Sequence, residues 1–174
     1  GEIPAGRAVS VEREVFPSLL AQGRHTHPHV DDAYWRDMGT PEDFVRGSAD
    51  LVRGIAPSPA VAKPCGESLV LEGAQVAADA VLIGGTVVGR GARIGSGARL
   101  DGAVVFDGAG VEAGAVVERS IIGFDAVIGS HALVRDTVVG DGAKVGARCE
   151  LLRGARVWPG VELPDNGIRF STDV

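Results

Sequence analysis

Several stretches of the chain hold side chains that could do chemistry. "DDAYWRDMGTPEDF", Asp31 to Phe44, sets carboxylates on both sides of a Tyr-Trp pair. Its second half reads as a helix start, but Asp37 has no folding task that the sequence explains. It falls just before Gly39, where a strand would end, and α/β ligand sites gather at the carboxyl ends of strands. "RHTHPHV" alternates like a strand and puts His25, His27 and His29 on one face, a possible metal trio. Pro28 argues for an edge, however, and no carboxylate is fixed nearby. No nucleophile with a paired base and no metal-binding cysteine motif appears. Cys65 and Cys149 read as free thiols of a reducing compartment, which points to a cytoplasmic protein.

The elements that must position these groups follow from composition and repeats. Of 174 residues, 45% are hydrophobic but only 5% aromatic, and 26 are glycine, which favours stacked aliphatic layers over a core of large rings. A net charge of −6 disfavours a nucleic-acid or anionic-membrane surface, and no apolar run is long enough for a membrane span. The first residues, "GEIPAG", suggest a piece of a longer protein.

From Leu69 a branched aliphatic residue recurs at steps of six, six and five or six: Val70, Val76, Leu82, Val88, Ile94, Leu100, Val105, and so on to Val157. Two residues before each sits something small, such as Ala92, Ala109, Ala126 or Cys149. Positions i and i−2 share one face of a strand. Three short strands with turns between them would close a triangular coil, and each large-small pair would fill its narrow interior. A period of six excludes helix. "GRGARIG" mimics a nucleotide loop, but its glycines are those of the coil corners and no helix follows. His131, the one histidine in the coils, reads as a surface residue and Cys149 as an inert core thiol.

Before the coils, "EVFPSLLAQG" predicts a short helix with Pro17 in its first turn and Gly23 as its stop. Thr40-Pro41-Glu42-Asp43 predicts a second: hydroxyl N-cap, proline at N1, acids at the positive end. That helix should run to about Arg53, with Phe44, Leu51 and Val52 on one side and Gly54 as its stop. The chain then divides into residues 1–55, a Pro-rich linker over 56–67, coils over 68–157 and a cap over 158–174. Trp158, Pro159, Pro164 and Phe170 suit that cap, because a stack of coils ends in unpaired backbone.

The spacing resembles the hexapeptide repeat, which implies a mainly β fold, the left-handed parallel β-helix. "SVEREVFPSLL", "YWRDMGTPEDF", the coils and "RVWPGVELP", in that order, resemble the C-terminal half of sugar-1-phosphate nucleotidyltransferases, nearest to the bacterial mannose-1-phosphate guanylyltransferase type. Residues 1–55 would then be the end of an α/β nucleotidyltransferase domain. The resemblance implies that a sugar 1-phosphate, most simply mannose 1-phosphate, attacks the α-phosphorus of a nucleoside triphosphate, GTP, with Mg²⁺ as cofactor. It implies Asp37 as a magnesium ligand and Glu12 as an acceptor from sugar hydroxyls. Arg13, a departure from the lysine that many relatives carry there, would contact the sugar phosphate. The Gly-rich nucleotide loop and a second metal-binding aspartate would belong to an N-terminal half, so these residues alone are expected to be inactive. A homo-oligomer is expected, with the β-helix serving assembly or regulation. A non-catalytic β-helix subunit and a hexapeptide acyltransferase, whose base would have to be His131, are the alternatives.

Overall fold

The computed structural model describes residues 3–61, 63 and 65–169, and it falls into two compact units, Gly1–Ala33 and Tyr34–Val174.

In the first unit, Val11–Val15 forms a π-helical turn that runs directly into helix α1, Phe16–Ala21. Ser10 caps the turn, its Oγ accepting from Arg13 N at 3.1 Å, and Glu14 reaches back to Ser10 N at 3.2 Å. These two bonds start the helix one turn earlier than proline placement alone predicts. Gly23, at φ +72°, donates to Leu20 O and ends it, as expected. The predicted histidine strand does not form: residues 24–33 contain no strand. Alternation makes a strand only where a neighbour supplies a ladder, and Pro28 has no N–H to offer one.

The second unit is a parallel β-helix. Its strands, two or three residues each, stack into two six-stranded sheets and one five-stranded sheet. The register is the one the repeat predicts. Ile128 pairs with Val111 in the coil before and Val145 in the coil after, and Val134 lies between Val117 and Leu151. All aliphatic positions of the repeat from Val88 to Val157 are buried, while Val70, at the open end of the stack, is 43% exposed.

Coil length is set at one corner. Where the step is five residues, a single residue takes left-handed φ: Gly102, Arg119 or Asp136. Where it is six, two successive residues do: Gly84 with Gly85, and Arg153 with Gly154. The small position after this corner is alanine in two coils, Ala103 and Ala155, and a hydroxyl residue in three, Thr86, Ser120 and Thr137, each of the three buried. Their hydroxyls donate to a carbonyl of the same corner, and two of them also accept an amide from the next coil: Ala103 N to Thr86 at 3.2 Å and Thr137 N to Ser120 at 3.0 Å. Their polarity is therefore satisfied without water.

The coils do not stop at Val157. Glu162–Leu163 adds a further rung on Lys144–Val145, and Glu150 N donates to Ile168 O at 2.8 Å, so most of the expected cap is itself coil. Trp158 does not cover the last coil; it is 78% exposed. Phe170 lies outside the described residues.

Helix α2, Pro41–Arg53, has the predicted ends. Thr40 Oγ1 accepts from Asp43 N at 3.1 Å, and Gly54 takes φ +76°. It packs on the outer face of the first coils, which explains residues 34–56 grouping with the β-helix rather than with the chain before them. Its buried side matches the expected one only in part: Val52 is buried as expected, but so is Val45, while Phe44 is partly exposed and stacks on Phe106 at 6.3 Å. The reason is the doublets of the repeat, "VVG", "VVF" and "IIG". The second residue of each faces the prism interior, and the first gives the outer face an apolar column that α2 covers. Gly85 leaves room for that helix, since a Cβ there would lie 2.6 Å from Ala49 Cα.

Candidate functional site

Glu12 and Arg13 lie on the π-helical turn of the first unit. Both are exposed, and neither side chain has a hydrogen-bond or ion-pair partner among the described residues. Glu14, the other acid of "VERE", is engaged: Arg7 Nη1 contacts it at 2.9 Å, besides its bond to Ser10 N. The turn therefore uses Glu14 to build itself and presents Glu12 and Arg13 to solvent. A π-turn widens the helix by one residue and recurs at functional sites.

Asp37 belongs to the second unit. No strand ends there, contrary to expectation; residues 34–39 are irregular. The segment is nevertheless ordered by alternation. Tyr34, Arg36 and Met38 face helix α2, whereas Trp35, at 81% exposed, and Asp37 face solvent. The Tyr34 hydroxyl donates to Asp50 Oδ2 at 2.7 Å, and Arg36 Nη2 and Nε donate to the same oxygen at 2.7 and 3.1 Å. Arg36 Nε also lies 3.0 Å from the Tyr34 hydroxyl. Met38 rests on the bare Cα of Gly47, where a Cβ would come within 2.8 Å of its methyl. The Asp50 side chain is 15% exposed, and that burial by itself would raise its pKa. The hydrogen bonds from Tyr34 and Arg36 outweigh it and hold the carboxyl below its ordinary range. Sequence reasoning missed these partners because they lie well downstream, 16 residues from Tyr34 and 14 from Arg36. The signal it had was the parity of 34, 36 and 38 against 35 and 37.

The Asp37 carboxylate has no hydrogen-bond or ion-pair partner among the described residues. It folds over Gly39, whose Cβ, if present, would stand 3.6 Å from Oδ2. One free carboxylate fits a hard cation such as Mg²⁺, which takes one or two carboxylates and fills its shell with water and phosphate oxygens. It does not fit a metal held by protein alone, and no group of three metal-binding side chains occurs among the described residues. That finding includes the histidine trio: the His25 and His27 rings lie 6.4 Å apart, but no site assembles on them.

His131 has a structural task. It takes φ +57° at a coil corner, and its ring covers Gly114 of the coil before, where a Cβ would fall 2.4 Å from Nδ1. Cys149 is fully buried, with Sγ 3.2 Å from Pro164 O. A concavity of about 670 Å³ on an outer sheet face, over Arg93, Gly110 and Val127, is lined by none of the three predicted site residues. No helix among the described residues is long and apolar enough to cross a membrane.

Comparison with known proteins adds identity to this geometry. The mannose-1-phosphate guanylyltransferase of Mycobacterium tuberculosis is 72% identical over 173 residues, 99% of this chain. The chain spans 48% of that protein's length. A hexapeptide transferase family protein from Anaplasma phagocytophilum shares 17% identity at a TM-score of 0.44, covering 61% of this chain and 80% of its own. The acetyltransferase domain of PglB from Neisseria gonorrhoeae shares 20% at 0.27, covering 71% and 66%. The family model for the GMPPB C-terminal domain matches residues 65–169, and the chain belongs to that family.

Proposed function

We propose that these residues are the C-terminal part of a nucleotidyltransferase that joins GTP and mannose 1-phosphate into GDP-mannose. The observation that carries this reading is the 72% identity, over nearly the whole chain, to a mannose-1-phosphate guanylyltransferase. In the reaction a phosphate oxygen of the sugar 1-phosphate bonds to the α-phosphorus of the triphosphate. The bond from that phosphorus to the bridging oxygen breaks, and pyrophosphate leaves with the electron pair. In-line positioning and charge neutralisation suffice, so no covalent nucleophile is needed. Bound Mg²⁺ would supply that neutralisation at the crowded phosphates. Asp37 would hold the ion; Glu12 would accept from sugar hydroxyls, and Arg13 would pair with the sugar phosphate. The unpartnered state of all three side chains supports these roles. Nucleotide loop and second metal carboxylate would come from the rest of the parent.

We further propose a cytoplasmic homo-oligomer. The free, exposed Cys65 thiol supports a reducing compartment, and exposed apolar side chains such as Phe16, Leu20 and Trp158 support association.

A pyrophosphate-release assay of the full-length parent, run over a panel of nucleoside triphosphates and sugar 1-phosphates, tests the reading. GTP with mannose 1-phosphate should give the highest kcat/KM. Release with no pair in the panel would leave the β-helix as a non-catalytic module.

A further inference from the structure

We propose that Asp50 is a positioning residue for the metal carboxylate, fixing Asp37 through Arg36 and Tyr34. This rests on the reading of Asp37 as a metal ligand and deepens it.

Residues 34–39 have no ladder or helix of their own to hold them. Their fixed points are the side chains that meet α2: Tyr34 and Arg36 on Asp50, and Met38 on Gly47. These three have one parity, and Asp37 has the other. Its carboxylate is therefore aimed by what its neighbours grip. The grip is anchored in turn. Ala49, next to Asp50, abuts Gly85 of the first coil; Cys65 N donates to Val52 O at 2.8 Å; and Arg53 pairs with Glu67, which accepts from Gly84 N at 2.8 Å. Asp37 is thus referred, through Asp50 and α2, to the backbone of the β-helix. A hard cation demands near-ideal geometry from each ligand, so a loosened ligand segment weakens binding without removing any ligand atom.

The test uses the full-length parent, with Mn²⁺ alone as the probe, followed by electron paramagnetic resonance well below the melting temperature. Hydrogen exchange of the amides of residues 34–39 is read on the same samples. Asp50→Ala and Arg36→Ala should each weaken Mn²⁺ binding about tenfold. The double variant should be no weaker than either single one, because both cut the same linkage. Exchange at 34–39 should quicken in all three. Asp50→Asn, the milder change, serves if Asp50→Ala does not fold. Asp37→Asn run alongside separates two failures. If it weakens Mn²⁺ binding while the Asp50 and Arg36 variants exchange faster yet bind normally, positioning by Asp50 is wrong and the ligand assignment stands. If Asp37→Asn binds Mn²⁺ as the wild type does, the ligand assignment and the positioning role fall together.

Discussion

Arg36 Nη2 lies 2.7 Å from Asp50 Oδ2, an ion pair that ties the irregular segment of residues 34–39 to helix α2. Burial alone would lift the Asp50 pKa, yet its hydrogen bonds from Tyr34 and Arg36 hold it below the usual range. A depressed folded-state pKa adds stability above the unfolded value, about 3.9, and that stability is lost as pH falls through the folded value. Asp50→Asn should therefore lower the melting temperature at pH 7 and lose less on acidification, so the two curves converge below about pH 4. Curves that stay parallel from pH 7 to pH 2 would remove the ionic role.

Ile128 tests the register of the coils. It is fully buried between Val111 and Val145. Ile128→Asp would bury a charge with no partner, costing at least ~3 kcal/mol and roughly 10 °C of melting temperature. An unchanged melting curve would mean that Ile128 faces solvent.

Glycines in the coils serve two different ends. Gly129 is needed for close approach, since a Cβ there would sit 2.6 Å from Ala147 N. Gly142 has open space around it but takes φ +63°, as does Asp125 one coil earlier at φ +54°. Gly129→Ala should cost about 2 kcal/mol and Gly142→Asn less than about 1 kcal/mol. Chemical denaturation of both variants checks the order, and equal losses would contradict it.

Val11, Phe16 and Leu20, near or on α1, are between 43% and 57% exposed. The 174 residues expressed alone should bind an apolar dye and associate in light scattering at high concentration. A monodisperse monomer that binds no dye would show these side chains to be covered in solution.

How much of this was legible in the sequence depended on how local each signal was. Coil register could be read because Ile128 and Ala126 carry their message within one strand and the pattern repeats through many coils. The ends of α2 were equally local: Thr40 caps Asp43 N, and Gly54 stops the helix. The seat of α2 was not read, although doublets such as Val104-Val105 and Ile121-Ile122, whose first members make an outer apolar face, carried the signal. The histidine strand failed because a strand needs a partner that no local pattern supplies. The tasks of Tyr34 and Arg36 were not legible for the same reason, since Asp50 becomes their neighbour only after α2 forms. Asp37 was singled out by family resemblance and by having no other task. The structure keeps it exposed and without a partner among the described residues.

Turnover of the full-length parent carrying Asp37→Asn, with Thr40→Ala as its control, tests the central claim most directly. Asparagine keeps the shape of aspartate and leaves the α2 cap to Thr40, so the melting temperature should stay at the wild-type value. Loss of one negative oxygen from the metal should lower GDP-mannose formation by about two orders of magnitude or more. Thr40→Ala should do the opposite, costing about 1 kcal/mol of stability and sparing most of the turnover. Near-normal turnover in Asp37→Asn would contradict the account and leave "YWRDMGTPEDF" as a clamp and a capped helix.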